Sequence, residues 1–299
     1  MKYRKLGRTG LDVSLLGFGA LEIGRNWPYW RREKEDFIRP SETDAIKVIH
    51  SALDQGINFF DTAPAYFQSE EILGKAFKGI RKNVLIATKC GEWFDGEKSV
   101  YNYSYSETKK FIENSLKLLR TDYIDLLQIH SANADIIRNG ETLAAMKDVQ
   151  KEGKVRFIGL STDFEDAALL AIESKEYDSI QISHNAINLL MSKNVFPLAQ
   201  KSNIGIIIKD GMARGMLSPK YSDIADSKQK ETIEQLMKIA QKNDLTLSEL
   251  AISYVISSLI VSSVIVGTKK IEHLYSNVSV IQRPLLSHDT LNAIAELNL

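Results

Sequence analysis

The stretch SETKKFIENSLKLLRTDYIDLLQI, residues 106–129, contains a predicted helix followed directly by a predicted strand. Apolar residues recur at helical spacing in its first part, where Ile112 and Leu116 share one face and Ser106 is the candidate N-cap. Its last part, YIDLLQI (123–129), is a short apolar run that is typical of a strand buried on both faces. Because parallel strands need a crossover between them, a repeated helix and strand predict a parallel sheet.

The same alternation recurs along the chain. Each apolar run is followed by a polar loop and a stretch with helical spacing, such as TDAIKVIHSALDQG (43–56), in which Gly56 is the stop signal. An open doubly wound sheet and a closed barrel both fit this order, and the count of eight runs without a linker favours the (β/α)8 TIM barrel. The eight runs are VSLLGFG (13–19), INFF (57–60), VLIAT (84–88), YIDLLQI (123–129), VRFIGL (155–160), SIQIS (179–183), IGIII (204–208) and SSVIV (262–266).

The remaining segments point to one domain that spans residues 1–299. The opening YRKLGRTGLDVS (3–14) predicts a β-hairpin around GRTG, which we expect to close the floor of the barrel. The uncharged segment 250–266 contains five serines and ends in β-branched residues, so it predicts a buried helix, a turn and a strand rather than a membrane span.

Composition excludes several classes of function. The 299 residues include 38 basic and 38 acidic side chains, and a net charge of zero gives no reason to expect a nucleic acid or an acidic membrane as partner. The single cysteine, Cys90, excludes an internal disulfide, and the start MKYRKLGRTG lacks the apolar core of a secretory signal. We therefore expect a cytoplasmic protein, and the sequence leaves its oligomeric state open.

Polar residues end three consecutive predicted strands. Asp61 follows the second strand, Lys89 the third and His130 the fourth, and each taken alone fits a turn cap or a solvated strand end. Since the carboxyl ends of barrel strands meet at one mouth, the three are expected to share a concave site. The stretch FFDTAPAY (59–66) adds Tyr66 to this cluster.

An acid, a lysine, a histidine and a phenol can together protonate a carbonyl oxygen. A phenol has a pKa of about 10, and we expect the Lys89 ammonium to lower the pKa of Tyr66. Asp61 would keep the lysine charged and oriented, while His130 would position the carbonyl oxygen. These roles predict a general-acid assembly for carbonyl reduction.

Four stretches resemble the aldo-keto reductases in their order and spacing. They are NFFDTAPAYFQSEEILG (58–74), VLIATKCG (84–91), YIDLLQIH (123–130) and GKVRFIGLS (153–161), and the resemblance extends from about Tyr3 to Asn277. It implies the (β/α)8 barrel and the catalytic tetrad Asp61, Tyr66, Lys89 and His130. It also implies NAD(P)H-dependent, reversible reduction of a small aldehyde, ketone or sugar carbonyl.

The resemblance further implies a nicotinamide dinucleotide across the barrel mouth. NADPH is favoured over NADH, although Thr162, Lys209 and His273 stand where the family commonly has asparagine, an aromatic residue and arginine. The residues that the resemblance places at the cofactor are Gly19, Asp61, Ser161, Thr162, Gln181, Lys209, Gly211, Gly267, Thr268, Lys269, His273 and Asn277.

Two other functions stay open at this point. The same scaffold resembles redox-sensing subunits of potassium channels, which carry the tetrad but chiefly regulate a partner, and a barrel isomerase would need no cofactor. A metal site is not expected, because the first strand, LLGFG (15–19), lacks the His-x-His of metal-dependent barrel hydrolases. Substrate choice is expected to depend on residues 24–42 and 131–139 and on the tail beyond Asn277. Candidate pocket aromatics are Trp27, Tyr29, Trp30 and Trp93.

Overall fold

A closed barrel of eight parallel strands forms the centre of the computed structural model, which describes residues 1–26, 38–219 and 227–297. Twelve strands lie in these ranges. They are β1 (Tyr3–Lys5), β2 (Asp12–Ser14), β3 (Leu16–Gly19), β4 (Phe59–Asp61), β5 (Leu85–Cys90), β6 (Glu92–Phe94), β7 (Ser99–Tyr101), β8 (Ile124–His130), β9 (Val155–Thr162), β10 (Ser179–Ser183), β11 (Gly205–Lys209) and β12 (Val261–Gly267).

The helices supply the crossovers between the barrel strands. Twelve α-helices lie within the described ranges. They are α1 (Leu21–Gly24), α2 (Glu42–Asp54), α3 (Ser69–Ala76), α4 (Tyr105–Leu119), α5 (Ala134–Asn139), α6 (Glu141–Lys151), α7 (Glu165–Ser174), α8 (Leu190–Lys201), α9 (Ser227–Lys242), α10 (Leu247–Ser257), α11 (Ile271–Gln282) and α12 (His288–Glu296).

The predicted barrel is confirmed. Its strands follow one another as β3, β4, β5, β8, β9, β10, β11 and β12, and β12 pairs with β3 to close the ring. Each of the eight apolar runs supplies one of these strands. The outer faces of the strands pack beneath the helices in the largest buried cluster, which includes Ile86, Ile129 and Ile180.

Helix α4 shows how the local sequence sets an element boundary. Ile112 and Leu116 are buried on its inner face, as the periodicity predicted. The predicted cap is wrong, because Ser104 rather than Ser106 is the N-cap. Ser104 has an extended backbone, and its hydroxyl accepts the amide hydrogen of Glu107, which places Ser106 inside the first turn.

The N-terminal hairpin closes the lower end of the barrel. Strands β1 and β2 pair antiparallel, and Leu6 and Val13 pack against Phe59 from the barrel interior. Gly7 lies in the connection at a φ of 48°, and a Cβ atom there would lie 2.2 Å from the backbone nitrogen of Gly205. Only glycine permits this close approach between the hairpin and strand β11.

The uncharged segment 250–266 forms helix α10 and strand β12, as its texture predicted. Thr246 and Glu249 form a capping box at the start of α10. Within the described ranges, none of the helices has both the length and the apolarity that crossing a membrane requires.

Candidate active site

The four predicted tetrad residues meet at the carboxyl end of the barrel. Lys89 Nζ lies 2.7 Å from Asp61 Oδ2 and 3.1 Å from the Tyr66 hydroxyl, and it also donates to the carbonyl oxygen of Thr62 at 2.9 Å. The ring of His130 lies edge-on to Tyr66, with 5.9 Å between the ring centroids. The lysine therefore joins the acid to the phenol, and the imidazole faces the phenol from the neighbouring strand.

The Tyr66 side chain is held by a short turn after strand β4. Residues Pro64–Tyr66 form one turn of 3-10 helix, and Pro64 fixes φ at its start. Phe67 follows at a φ of 58°, which a bulky side chain rarely adopts. A strained backbone of this kind persists only where the surrounding contacts enforce it. Behind the turn, the hydroxyls of Thr62 and Ser69 form one such contact, 2.6 Å apart and buried.

Asp61 is held on both carboxylate oxygens. Gln181 and Gln128 donate to Oδ1 at 2.8 Å and 3.3 Å, while Lys89 occupies Oδ2. Ser161 in turn donates to Gln181 Oε1 at 3.0 Å, so a buried hydrogen-bonded chain runs from strand β9 to the tetrad. Sequence reasoning missed Gln128, although it lies two residues before His130 and therefore faces the same side of strand β8.

Burial dominates the protonation of the phenol and the lysine. It raises the pKa of Tyr66 well above its usual value, and the carboxylates of Asp61, Glu92 and Asp210 raise it further. The predicted lowering of this pKa by Lys89 is therefore not found, because Asp61 already neutralises the ammonium at 2.7 Å. Burial also lowers the pKa of Lys89, against the effect of Asp61. Tyr66 is consequently a neutral phenol that carries a transferable proton.

His130 is a neutral imidazole at neutral pH. Burial lowers its pKa well below the usual value, and the cations Lys89, Lys209 and Arg25 lower it further. Nδ1 lies 3.2 Å from Glu92 Oε2, but the angle between the two groups is outside the range of a hydrogen bond. Both side chains are about nine-tenths buried.

A groove of about 1210 Å³ leads from Tyr66 across the barrel mouth to helix α11. Ten of the twelve predicted cofactor residues line it, and Ser161 and Thr162 do not. Ser161 lies directly behind Gln181. The Thr162 hydroxyl donates to the carbonyl oxygen of Ala132 at 2.8 Å and accepts the amide of Phe164, so it is not turned to the groove. The ten are Gly19, Asp61, Gln181, Lys209, Gly211, Gly267, Thr268, Lys269, His273 and Asn277.

The groove also has a wall that the sequence did not reveal. Met237 and Gln241 from helix α9 and Thr246 at the start of α10 line its far side. No motif marks them, because only the packing of α9 over the barrel rim brings them there. Of the candidate pocket aromatics, Trp93 is not among the residues that line the groove and packs against Phe111. Trp27, Tyr29 and Trp30 lie outside the described residues.

Polar contacts around Lys209 connect three loops at the mouth of the barrel. Lys209 Nζ lies 3.2 Å from Asp163 Oδ1. The Ser183 hydroxyl lies 2.7 Å from Asp163 Oδ1 and 3.0 Å from Asp210 Oδ2. Asp210 has a left-handed backbone, with a φ of 55°. The ends of strands β9, β10 and β11 are therefore joined where Lys209 and Asp210 line the groove.

The residues of the groove fit an extended dinucleotide. A Cβ atom at Gly19 would lie 3.0 Å from Ile265 Cγ2, and glycine at this position and at Gly267 leaves the floor free of side chains. Lys269 and Lys270 line the far end beside the first turn of helix α11, where the helix dipole and the backbone amides favour phosphate. The groove thus joins a polar end near Tyr66 to a cationic end.

Comparison with known proteins identifies the family. The sequence matches the Aldo/keto reductase family over residues 15–299. The chain belongs to this family. It is 28% identical to L-galactose dehydrogenase of Arabidopsis thaliana over 94% of this chain and 88% of that protein. It is 34% identical to the aldo-keto reductase YhdN of Bacillus subtilis over 75% of this chain and 66% of that protein.

A solved structure has the same architecture. The holo form of the aldo-keto reductase AKR11C1 from Bacillus halodurans superposes with a TM-score of 0.85 at 28% identity, covering 99% of this chain and 96% of that chain. Aldo-keto reductases use nicotinamide cofactors, and the family assignment makes this chain an oxidoreductase.

Cys90 and His184 of this aldo-keto reductase are not part of the tetrad. Cys90 points to the outer face of the barrel, where burial raises the pKa of its thiol and Sγ contacts the carbonyl oxygen of Gln128. His184 contacts two aromatic rings: it lies edge-on to Phe196, with 4.9 Å between the ring centroids, and tilted against Tyr254, with 5.6 Å between them. Among the described residues, no cluster of three or more His, Cys, Asp or Glu side chains is arranged to hold a metal ion.

His184 is expected to make the fold sensitive to acid. Burial lowers its pKa from 6.5 to about 4, so the unfolded chain binds this proton at a higher pH than the folded protein does. This difference in pKa contributes to the free energy of unfolding. The contribution is fully present above pH 6.5, and roughly 3 kcal/mol of it is lost as the pH falls towards 4. Urea unfolding at several pH values measures this loss. In His184→Gln the acid loss should be smaller by that amount, whereas replacing the exposed His288 in the same way should leave it unchanged.

Proposed function

We propose that this aldo-keto reductase is an NADPH-dependent reductase of a small aldehyde, ketone or sugar carbonyl, and that it works reversibly in the cytoplasm. The observation that carries the proposal is the placement of the neutral Tyr66 hydroxyl 3.1 Å from Lys89 Nζ, at the end of a groove that fits a dinucleotide. A proton donor thus lies where a carbonyl compound can enter beside the cofactor.

The side chains of the site supply the proton and stabilise the negative charge that develops on the Tyr66 oxygen. When bound, the nicotinamide cofactor supplies the hydride that adds to the carbonyl carbon. As the carbonyl π-bond breaks, Tyr66 donates its proton to the oxygen, which gives the alcohol. Lys89 donates a hydrogen bond to the Tyr66 oxygen and stabilises the charge that develops there, while Asp61 keeps the ammonium oriented.

Turnover measurements test the proposal directly. Purified protein mixed with NADPH and a panel of aldehydes, ketones and sugars should consume many equivalents of NADPH with at least one member, as followed by its absorbance. Oxidation of a single equivalent of prebound cofactor, with no further turnover on any member, would contradict a reductase and favour a redox-sensing regulatory subunit. If NADPH neither binds nor raises the melting temperature, the cofactor assignment fails as well.

The preference for NADPH is supported by the cationic end of the groove. Lys269 and Lys270 lie there, and His273 faces the groove from the first turn of helix α11. The imidazole of a histidine cannot form the bidentate pair of hydrogen bonds that an arginine guanidinium donates to a 2′-phosphate. We therefore expect NADPH to bind more tightly than NADH by a modest factor, which calorimetry with both cofactors measures.

His273→Arg is expected to enlarge this preference. A charge-assisted hydrogen bond contributes roughly 1.5–3 kcal/mol, so NADPH should bind about tenfold tighter or better while NADH binding stays the same. Tyr275→Arg is the matched control, because Tyr275 is 49% exposed on the same helix and does not line the groove. Equal tightening by both variants would show a general effect of charge and would contradict a phosphate contact at position 273.

A further inference from the structure

We propose that Phe67 is a specificity-determining residue, whose ring binds the flat apolar group of an aromatic aldehyde or ketone while Tyr66 contacts the carbonyl oxygen. This names the substrate class of the reductase function proposed above and rests on that function. Binding of an aromatic aldehyde can be measured without hydride transfer, so failure of this proposal and failure of the reductase function are distinguishable.

The backbone of Phe67 is strained, although its side chain is large. Its φ of 58° and ψ of −99° lie near the classic γ-turn, which is rare for any residue with a side chain. Packing enforces this conformation, because helix α1 leaves no room for a Cβ atom between Gly24 and the carbonyl oxygen of Tyr66. The amide of Gln68 also donates to the carbonyl oxygen of Gly24 at 3.4 Å. Glycine would adopt the same conformation without strain, so the phenyl ring needs a reason other than the fold.

The ring of Phe67 is exposed next to the proton donor and is supported from one side. Phe67 is 43% exposed and lies edge-on to Phe94, with 5.8 Å between the ring centroids. The Arg25 guanidinium lies 4.8 Å from the centroid of Phe94 and donates to the carbonyl oxygen of Ala65 at 2.8 Å. Phe94 is therefore fixed by a cation–π contact, and it holds the neighbouring ring in place while part of that ring stays accessible.

The cofactor groove occupies only one arc of the barrel mouth. Of the described residues, those that line the groove include the ends of strands β3, β4, β10, β11 and β12 but none from β5, β8 or β9. The remaining arc carries Lys89 and His130, and the hairpin of strands β6 and β7, to which Phe94 belongs, extends from it. The Tyr103 hydroxyl, just beyond this hairpin, donates to the carbonyl oxygen of His130 at 2.8 Å. The aromatic pair thus lies on the side of the tetrad away from the groove.

A carbonyl substrate therefore has one direction in which to extend. Its oxygen contacts Tyr66, and its carbonyl carbon must face the cofactor in the groove within reacting distance. The rest of the molecule then lies over strands β5 and β8, beside the exposed ring of Phe67. Aromatic rings prefer edge-to-face or offset contacts, and such a pair contributes more than its buried area alone. We therefore expect aromatic carbonyl compounds to bind more tightly than short aliphatic ones.

Fluorine NMR of para-fluorobenzaldehyde with the full-length protein tests the proposal. The protein is loaded with NADP⁺, which has no hydride to give, so the dissociation constant is measured without turnover. In Phe67→Gly this constant should rise by about three- to tenfold, the usual contribution of an aromatic pair. The constant for propanal, measured by competition, should change by less than about twofold, because propanal has no ring to form the pair. An unchanged constant for para-fluorobenzaldehyde, or an equal rise for both aldehydes, would overturn the proposal.

Further variants separate recognition of the substrate from support of the fold. Phe67→Gly removes the ring and the strain together, so its urea midpoint should equal or exceed that of the wild type. A clearly lower midpoint would show that the ring serves the fold and would contradict the proposal. Phe67→Tyr keeps the ring and should keep the wild-type affinity for para-fluorobenzaldehyde. Leu259→Gly is the control, because Leu259 is 78% exposed just before strand β12, at the other end of the barrel, and it should leave both constants unchanged.

The two proposals fail in different ways. Turnover of NADPH with carbonyl compounds, together with unchanged binding of para-fluorobenzaldehyde in Phe67→Gly, would refute only the role of Phe67. Weaker binding in that variant without any turnover by the wild type would refute only the reductase function.

Discussion

Removing one oxygen atom, in Tyr66→Phe, is expected to lower kcat by about 10²–10⁴-fold, which is the usual contribution of a general acid. The phenyl ring fills the same space but has no proton to give as hydride adds to the carbonyl carbon. Lys89 retains its bonds to Asp61 and to the carbonyl oxygen of Thr62, so the fold and the groove should be preserved. Steady-state NADPH oxidation with the best substrate of the panel measures the effect.

The binding of NADPH separates loss of chemistry from loss of structure in this experiment. Calorimetry should give the same NADPH affinity for Tyr66→Phe as for the wild type. Tyr275→Phe is the matched control, because Tyr275 lies on helix α11, is 49% exposed and does not line the groove. Its kcat should change by less than about tenfold, or ~1.4 kcal/mol. A Tyr66→Phe enzyme with full turnover would show that another group protonates the oxygen.

Lys89→Met is expected to produce the largest loss of stability, about 3–5 kcal/mol in the free energy of unfolding. Lys89 is 0% exposed and Asp61 is 3% exposed. Without the ammonium, Asp61 becomes a buried carboxylate that keeps only the amide hydrogen bonds of Gln181 and Gln128. Urea unfolding at neutral pH measures the change, and turnover should fall as well, because the partner of the Tyr66 oxygen is removed.

A second substitution shows whether the uncompensated charge is the cause. Asp61→Asn combined with Lys89→Met removes both charges and keeps the side-chain volumes close to the original. The double variant should be more stable than Lys89→Met alone, so the two changes should not be additive. If Lys89→Met unfolds at the same urea concentration as the wild type, the ion pair contributes nothing to the fold.

Much of the fold could be predicted because its signals are local. The barrel strands are short apolar runs, and a period of two places Gln128 and His130 on one side of strand β8, although only the histidine was recognised as functional. The helix period gave the buried face of α4, but not its cap. Ser104 and Ser106 are equally good capping residues, and the backbone around them decides between the two.

The clustering of Asp61, Lys89 and His130 could be predicted because all three lie at the ends of barrel strands, and the barrel makes those ends converge. The electrostatics of the site could not. The expected lowering of the Tyr66 pKa considered the ammonium alone, whereas the structure adds burial and three carboxylates, those of Asp61, Glu92 and Asp210. Glu92 lies beside His130 because it begins the hairpin of strands β6 and β7, and no periodicity in the sequence predicts this hairpin.

The amino-acid sequence by itself determined the strands, their parallel order, the hairpin at the floor and the meeting of Asp61, Lys89 and His130 at one end of the barrel. These follow from periodicity and from the rule that strand ends in a barrel share one mouth. Only the tertiary structure decided the protonation of Tyr66 and His130, the wall that helix α9 adds to the groove, and the place of Thr162 outside it. The reason is that desolvation and pairing depend on every group within a few ångströms, and these groups come from distant parts of the chain.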